Sequence, residues 1–200
     1  MDHLGQIGFS EMQAQLLSVA TSFCRQKSST DHARRLLTDE AGYDDALWEE
    51  MIELGWLAIA IPEEYGGAGL SLGEVVPVME QIGCRFLASP FFSTTLAAQA
   101  ILAGGSEHQK QTLLPRILAG EVATVALTED TNDWDLSNIR ATAFDVGDEL
   151  RLTGKKRLVV DGAMARWIVV SVMNAGAVVL AFIDTSTFSK ETLRREITID

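Results

Sequence analysis

The sequence predicts an α+β protein: an N-terminal all-α helical domain over residues 1–122, then a small antiparallel β-barrel or sandwich over 123–200. Two changes of pattern carry this division. Before residue 122 the apolar residues recur at helical spacing, whereas after it Val, Ile and Thr rise and short alternating runs take over. The composition agrees with a folded chain: 200 residues, 47% hydrophobic and 22% charged, which is ordinary globular usage and enough length for a buried core.

The helices follow in order. Met12, Leu16, Leu17, Val19, Ala20 and Phe23 make one stripe over Ser10–Lys27, with Ser10 placed to start it. A second helix runs from Asp44 to Leu54, capped by Asp44 or Asp45 and ended by Gly55. Trp56–Ile61 is a short apolar run stopped by Pro62, and Glu63–Gly69 (EEYGGAG) is a Gly-rich loop. Ser71 and Glu74 form a capping box for a helix to about Phe86, in which Pro77 marks a kink or a later start. Phe91–Leu102 follows Pro90 as a helix, and Ser106 with Gln109 opens another that ends at Gly120.

The strands are shorter. Thr124–Thr128, Arg140–Phe144, Glu149–Thr153, Arg157–Val160, Trp167–Val172 and Val178–Ile183 are expected as strands, with turns at 146–148, 161–162 and 174–176. The end, Glu191–Asp200, shows no closing element. An open sheet edge is a liability, so a longer natural chain is expected.

Charge and cysteines narrow the function classes. Sixteen Lys and Arg stand against 28 Asp and Glu, a net charge of −12. Such a balance argues against a nucleic-acid face and against docking on an anionic membrane. No apolar run is long enough to span a bilayer, and the first ten residues lack a basic start and an apolar core, so no secretory signal is expected. Cys24 and Cys84 are too few for a disulfide framework or a zinc site. They are expected as buried thiols in the cytoplasm.

Few residues point to chemistry by type and spacing alone. His3, His32 and His108 stand apart in polar segments and are expected at the surface. Gly66-Gly67-Ala68-Gly69 is a turn before it is a phosphate cradle. Glu129, Asp130, Asp133 and Asp135 have the composition of a hard-cation site, though a solvated loop explains them better. Lys155-Lys156-Arg157 is a candidate anion contact, with a solvated strand start as the simpler explanation. Trp48, Trp56, Trp134 and Trp167 are expected mostly in the core.

Three stretches, taken in order, resemble the acyl-CoA dehydrogenase family. LWEEMIELGWLAIAIPEEYGGAGLSLGE (Leu47–Glu74) is similar to its Trp-bearing helix, LGW and YGG-G pattern. GSEHQKQTLLPRILAGE (Gly105–Glu121) is similar to its E-x-Q-K…L-P…G-E pattern, and ALTED (Ala126–Asp130) to the opening of its flavin signature. The resemblance implies an N-terminal helical domain, a middle β-domain and a C-terminal four-helix bundle that this chain lacks. It implies FAD, an acyl-CoA substrate oxidised at Cα–Cβ, and hydride transfer to flavin N5. The glutamate base of such enzymes lies in the bundle, so no catalytic residue is expected here, and no metal.

By the same resemblance, cofactor contacts are expected at Leu127 and Thr128, whose backbone and hydroxyl lie near the isoalloxazine, and at Leu158 and Val160. The family continues P-x-x-G-S-D where this chain has Asp133 and Trp134 in place of the Gly and Ser and keeps only Asp135. The second motif, G-x-K-x-(W/F)-I-T-N, is matched by Gly154 and Lys156, with Leu158 for the aromatic and Val160 for the Thr. Val for Thr keeps the shape and removes the hydrogen bond. Two functions follow from the resemblance. The first is a FAD-dependent acyl-CoA dehydrogenase. The second is a non-catalytic partner subunit of a heteromeric one, with a degenerate flavin site. Expected partners are an acyl-CoA, further acyl-CoA dehydrogenase-like subunits in a homo- or hetero-oligomer, and an electron-transfer flavoprotein.

Overall fold

The computed structural model describes residues 8–39, 42–129, 135–147, 149–188, 192 and 194 of the 200-residue chain. The chain divides into two compact units, Met1–Ser89 with Leu118–Gly120, and Pro90–Ile117 with Glu121–Asp200. The change from helix to strand falls between residues 118 and 123. Compactness nevertheless groups the last two helices with the strands.

In the first unit, α1 (Glu11–Lys27) begins with the complete capping box that Ser10 and Gln13 allow. Two short helices follow, α2 (Thr30–Leu36) and α3 (Asp45–Glu53). Asp44 Oδ1 accepts from the N–H groups of Ala46 and Leu47, which fixes the start of α3. The helix α2 was not expected, since its sequence TDHARRL has no apolar stripe. Ser71 and Glu74 cap α4 (Leu72–Cys84), which starts ahead of Pro77 and continues past it. A proline at that position leaves the Gly73 carbonyl without its helical donor. Gln13 Nε2 on α1 donates to that carbonyl at 3.1 Å, so the loss is made good across the α1–α4 contact.

The core of this unit is Trp56, Met51, Ile61, Val78, Ala20 and Cys24, with Phe23 edge-on to Trp56 at 5.0 Å between ring centroids. The Trp48 indole N–H donates to the Gly120 carbonyl at 2.9 Å. Burial pushes the Cys24 thiol up to about 11. Cys84, expected to be buried, is exposed because it sits on the last turn of α4.

The run Trp56–Gly69 forms two short 3-10 turns and a return loop. The loop spends its backbone N–H groups on its own chain. Gly67 N donates to Pro62 O, Ala68 N to Ala58 O, Gly69 N to Ile61 O and Leu70 N to Ile59 O. The YGGAG glycines are therefore a structural turn, with no donors turned outward for a phosphate.

In the second unit, α5 (Phe91–Gly104) follows Pro90, and α6 (Glu107–Leu118) opens with the Ser106–Gln109 capping box. Among the described residues five strands form one sheet: β1 (Ala123–Ala126), β2 (Thr142–Val146), β3 (Glu149–Thr153), β4 (Trp167–Asn174) and β5 (Ala177–Asp184). The sheet is mixed, where an antiparallel one was expected. β4 pairs antiparallel with β5 along its whole length. Its other edge takes β1 in parallel, Ala123 opposite Trp167 through Ala126 opposite Val170, and β2 at Met173. β2 and β3 make the expected hairpin. β4 is buried over Trp167–Val172, as a strand covered on both faces must be. α5 packs on β1, and Thr94 Oγ1 inside α5 accepts from Ala123 N at 3.3 Å.

The strand expected over Arg157–Val160 does not form. Leu158 and Asp161 take left-handed backbone angles, φ 54° and 55°, which a ladder cannot accommodate. Among the described residues no helix is long and apolar enough to cross a membrane.

Candidate functional site

β1 runs out into Leu127, Thr128 and Glu129, and the irregular segment Gly154–Gly162 comes back beside it. The two segments that carry the expected cofactor residues are thus brought together. Arg157 N donates to Thr128 O at 2.9 Å, and the Thr128 hydroxyl donates to Arg157 O at 2.6 Å. One turn further, the Thr124 hydroxyl donates to Val160 O at 2.6 Å. Gly154 lets the same segment pass close to Ala141, since a Cβ there would lie 2.4 Å from the Ala141 Cβ.

A buried polar cluster lies at the centre of this pairing. Lys156 Nζ donates to Glu129 Oε1 at 2.8 Å, to Ser171 Oγ at 3.0 Å and to Leu127 O at 3.3 Å. The side chains of Lys156 and Glu129 are only 8% and 12% exposed. Glu129 also accepts from the N–H groups of Arg140 and Ala141 at 2.8 and 2.9 Å. Burial works against the Glu129 carboxylate, but Lys156 and the two backbone donors outweigh it and hold its pKa below the ordinary value. Ser171, the one hydroxyl in the buried run of β4, donates to Leu127 O at 3.1 Å.

This cluster replaces two sequence expectations. Lys156 turns inward, so Lys155-Lys156-Arg157 is not one anion-facing patch. Glu129 is committed to Lys156, and Asp135 caps the turn at 136–138 through Ser137 N. Asp130, Asp133 and Trp134 lie outside the described residues, as does His3. Among the described residues no group of three or more His, Cys, Asp or Glu is placed to hold a metal. Trp48, Trp56 and Trp167 are core residues as expected.

Sequence reasoning did not single out Asp161. Its carboxylate accepts from the Ser93 hydroxyl of α5 at 2.6 Å. Burial pushes the Asp161 carboxyl up, and the Ser93 hydrogen bond only partly offsets this. A raised native pKa means that its contribution is fully present below the unfolded value and is lost as pH rises through the folded one. Asn keeps a partner for Ser93, carries no charge and tolerates φ 55°. Asp161→Asn is therefore expected to stabilise the protein by about 1 kcal/mol at pH 7. The gain should vanish at low pH. Urea midpoints at the two pH values check this, and an equal effect at both would contradict it.

A hydrogen-bonded isoalloxazine needs donors on this frame, which allows the residues to be tested against a flavin. Thr128 has the only side-chain donor among Leu127, Thr128, Leu158 and Val160, and it is 7% exposed and spent on Arg157 O. Leu158 and Val160 are 51% and 56% exposed and wholly apolar. The hydroxyl of Thr124 and the ammonium of Lys156 are likewise directed at the chain's own carbonyl and carboxylate oxygens. The side chains of these residues therefore turn no hydrogen-bond donor toward a flavin.

Comparison with known proteins places the chain in a family. The family model described as acyl-CoA dehydrogenase, N-terminal domain, matches residues 10–121. The chain is 35% identical over 118 residues to (2S)-methylsuccinyl-CoA dehydrogenase of Cereibacter sphaeroides, covering 58% of this chain and 22% of that protein. It is 29% identical to the mitochondrial isovaleryl-CoA dehydrogenase of Bos taurus, covering 82% of this chain and 39% of that one. Among solved structures, a variant of the Tcur3481-Tcur3483 steroid ACAD matches with a TM-score of 0.80 at 31% identity, covering 88% of this chain and 48% of that one. The chain thus spans less than half the length of each. A helical region, a mixed sheet and this sequence similarity converge: the chain belongs to the acyl-CoA dehydrogenase family.

Proposed function

We propose that this chain is part of a subunit of a heteromeric, FAD-dependent acyl-CoA dehydrogenase, and that the subunit does not itself hold the flavin. The assembly oxidises the Cα–Cβ bond of an acyl-CoA thioester. This subunit keeps the frame of the flavin face, Leu127, Thr128, Leu158 and Val160, and contributes it as a wall. One observation carries the proposal: the single side-chain hydroxyl of those four residues is buried and bonded to Arg157 O. The 31% identical structure that carries two joined names favours a two-chain assembly.

The other reading is a subunit that binds its own FAD weakly. Val160→Thr separates the two, because it restores a hydroxyl on a side chain that is more than half exposed. On the proposal, this variant of the full-length protein, purified alone, gains no flavin absorbance. A rise in flavin occupancy would mean a weakened but real site and would overturn the partner assignment.

A further inference from the structure

We propose that Lys156 is the positioning residue of this frame: its ammonium, paired with Glu129, orders Leu127–Glu129 against Gly154–Val160 in the flavin-free protein. This rests on reading that frame as the flavin face of the fold. Four separate stretches meet at the pair. Leu127 O and Glu129 come from the end of β1, and Ser171 from β4. The N–H groups of Arg140 and Ala141 precede β2, and Lys156 itself follows β3. Three of these stretches are irregular or at a strand end, where no ladder supplies order, and the fourth, Ser171, is held within β4 opposite Leu180 of β5. A charge at the junction satisfies three acceptors at once, and its low exposure protects the bonds from water.

Such a pair acts as a unit, since losing one member strands the other's charge while losing both does not. Three variants of the full-length protein, Lys156→Gln, Glu129→Gln and the double variant, are compared by hydrogen exchange without added flavin. Each single variant is expected to speed amide exchange about tenfold or more in 124–129 and 154–162, and to leave α1, α3 and α4 unchanged. The double variant is expected to be no worse than either single one. Additive effects, a uniform rise across the chain, or no local change would overturn the assignment. If a single variant does not fold, Ser171→Ala, which removes the bonds to Lys156 and to Leu127 O but no charge, decides: a smaller rise in the same segments supports it, and none overturns it. The readout needs no flavin, so its failure is distinct from failure of the partner-subunit proposal, which flavin content measures.

Discussion

Gly67→Ala is expected to destabilise the first compact unit by about 3 kcal/mol or more. The new Cβ would stand 1.9 Å from the Ile61 carbonyl oxygen and 2.4 Å from its carbon. These are backbone atoms that cannot swing aside, and Ile61 O is also the acceptor for Gly69 N. Ile61 is itself fully buried, so relief of the clash means moving core. Gly55→Ala is the control. Nothing lies within 4 Å of its added Cβ, and only the positive φ of 74° is penalised, at about 1 kcal/mol. Denaturant midpoints followed by tryptophan fluorescence should separate the two variants clearly. Equal shifts would mean that the loop can relax and that the close approach is not what selects glycine.

The second large effect is at the buried pair. Lys156→Met should cost about 3 kcal/mol near neutral pH, because it leaves the enclosed Glu129 carboxylate with only the exposed Arg140 guanidinium, 4.0 Å away, as its cation. The pH dependence has a definite sign. The native pKa of Glu129 is depressed, so its contribution is present above the unfolded value and is lost as pH falls through the folded one. The gap between wild type and Lys156→Met should therefore narrow on acidification, as the stranded carboxylate takes up a proton. Thermal midpoints at pH 7 and pH 4 measure this. A gap that is constant or widens in acid would place the cost in lost packing of the lysine stem rather than in charge.

Much of the fold was legible because its signals are local. Ser10 at the start of α1, and the boxes of Ser71 with Glu74 and Ser106 with Gln109, each satisfy their own helix start, and no distant partner is needed. The β2–β3 hairpin and the buried run of β4 are likewise written in neighbouring residues. What failed depends on partners far along the chain. The parallel pairing of β1 with β4 joins Ala123 to Trp167, and the intervening sequence carries no marker of strand direction. Arg157–Val160 has strand composition, but Leu158 and Asp161 turn left-handed where the segment crosses β1. Propensity cannot foresee that override.

The candidate site divides in the same way. Resemblance singled out Leu127, Thr128, Leu158 and Val160, and the structure brings their two segments into contact. Spacing did not reveal that the middle residue of a basic triplet points inward, or that the glutamate beside Thr128 is its counter-ion. A buried ion pair between residues 129 and 156 leaves no periodic trace. Ser93 and Asp161 are hidden for the same reason, one lying in an apolar helix and the other in a turn.

The most direct test of the account is the flavin content of the full-length protein, first purified alone and then co-expressed with a candidate partner of the same family. A partner subunit purifies colourless alone and yields about one flavin per pair of chains when assembled. About one flavin per chain in the protein alone would contradict the account and make this subunit a flavoenzyme in its own right.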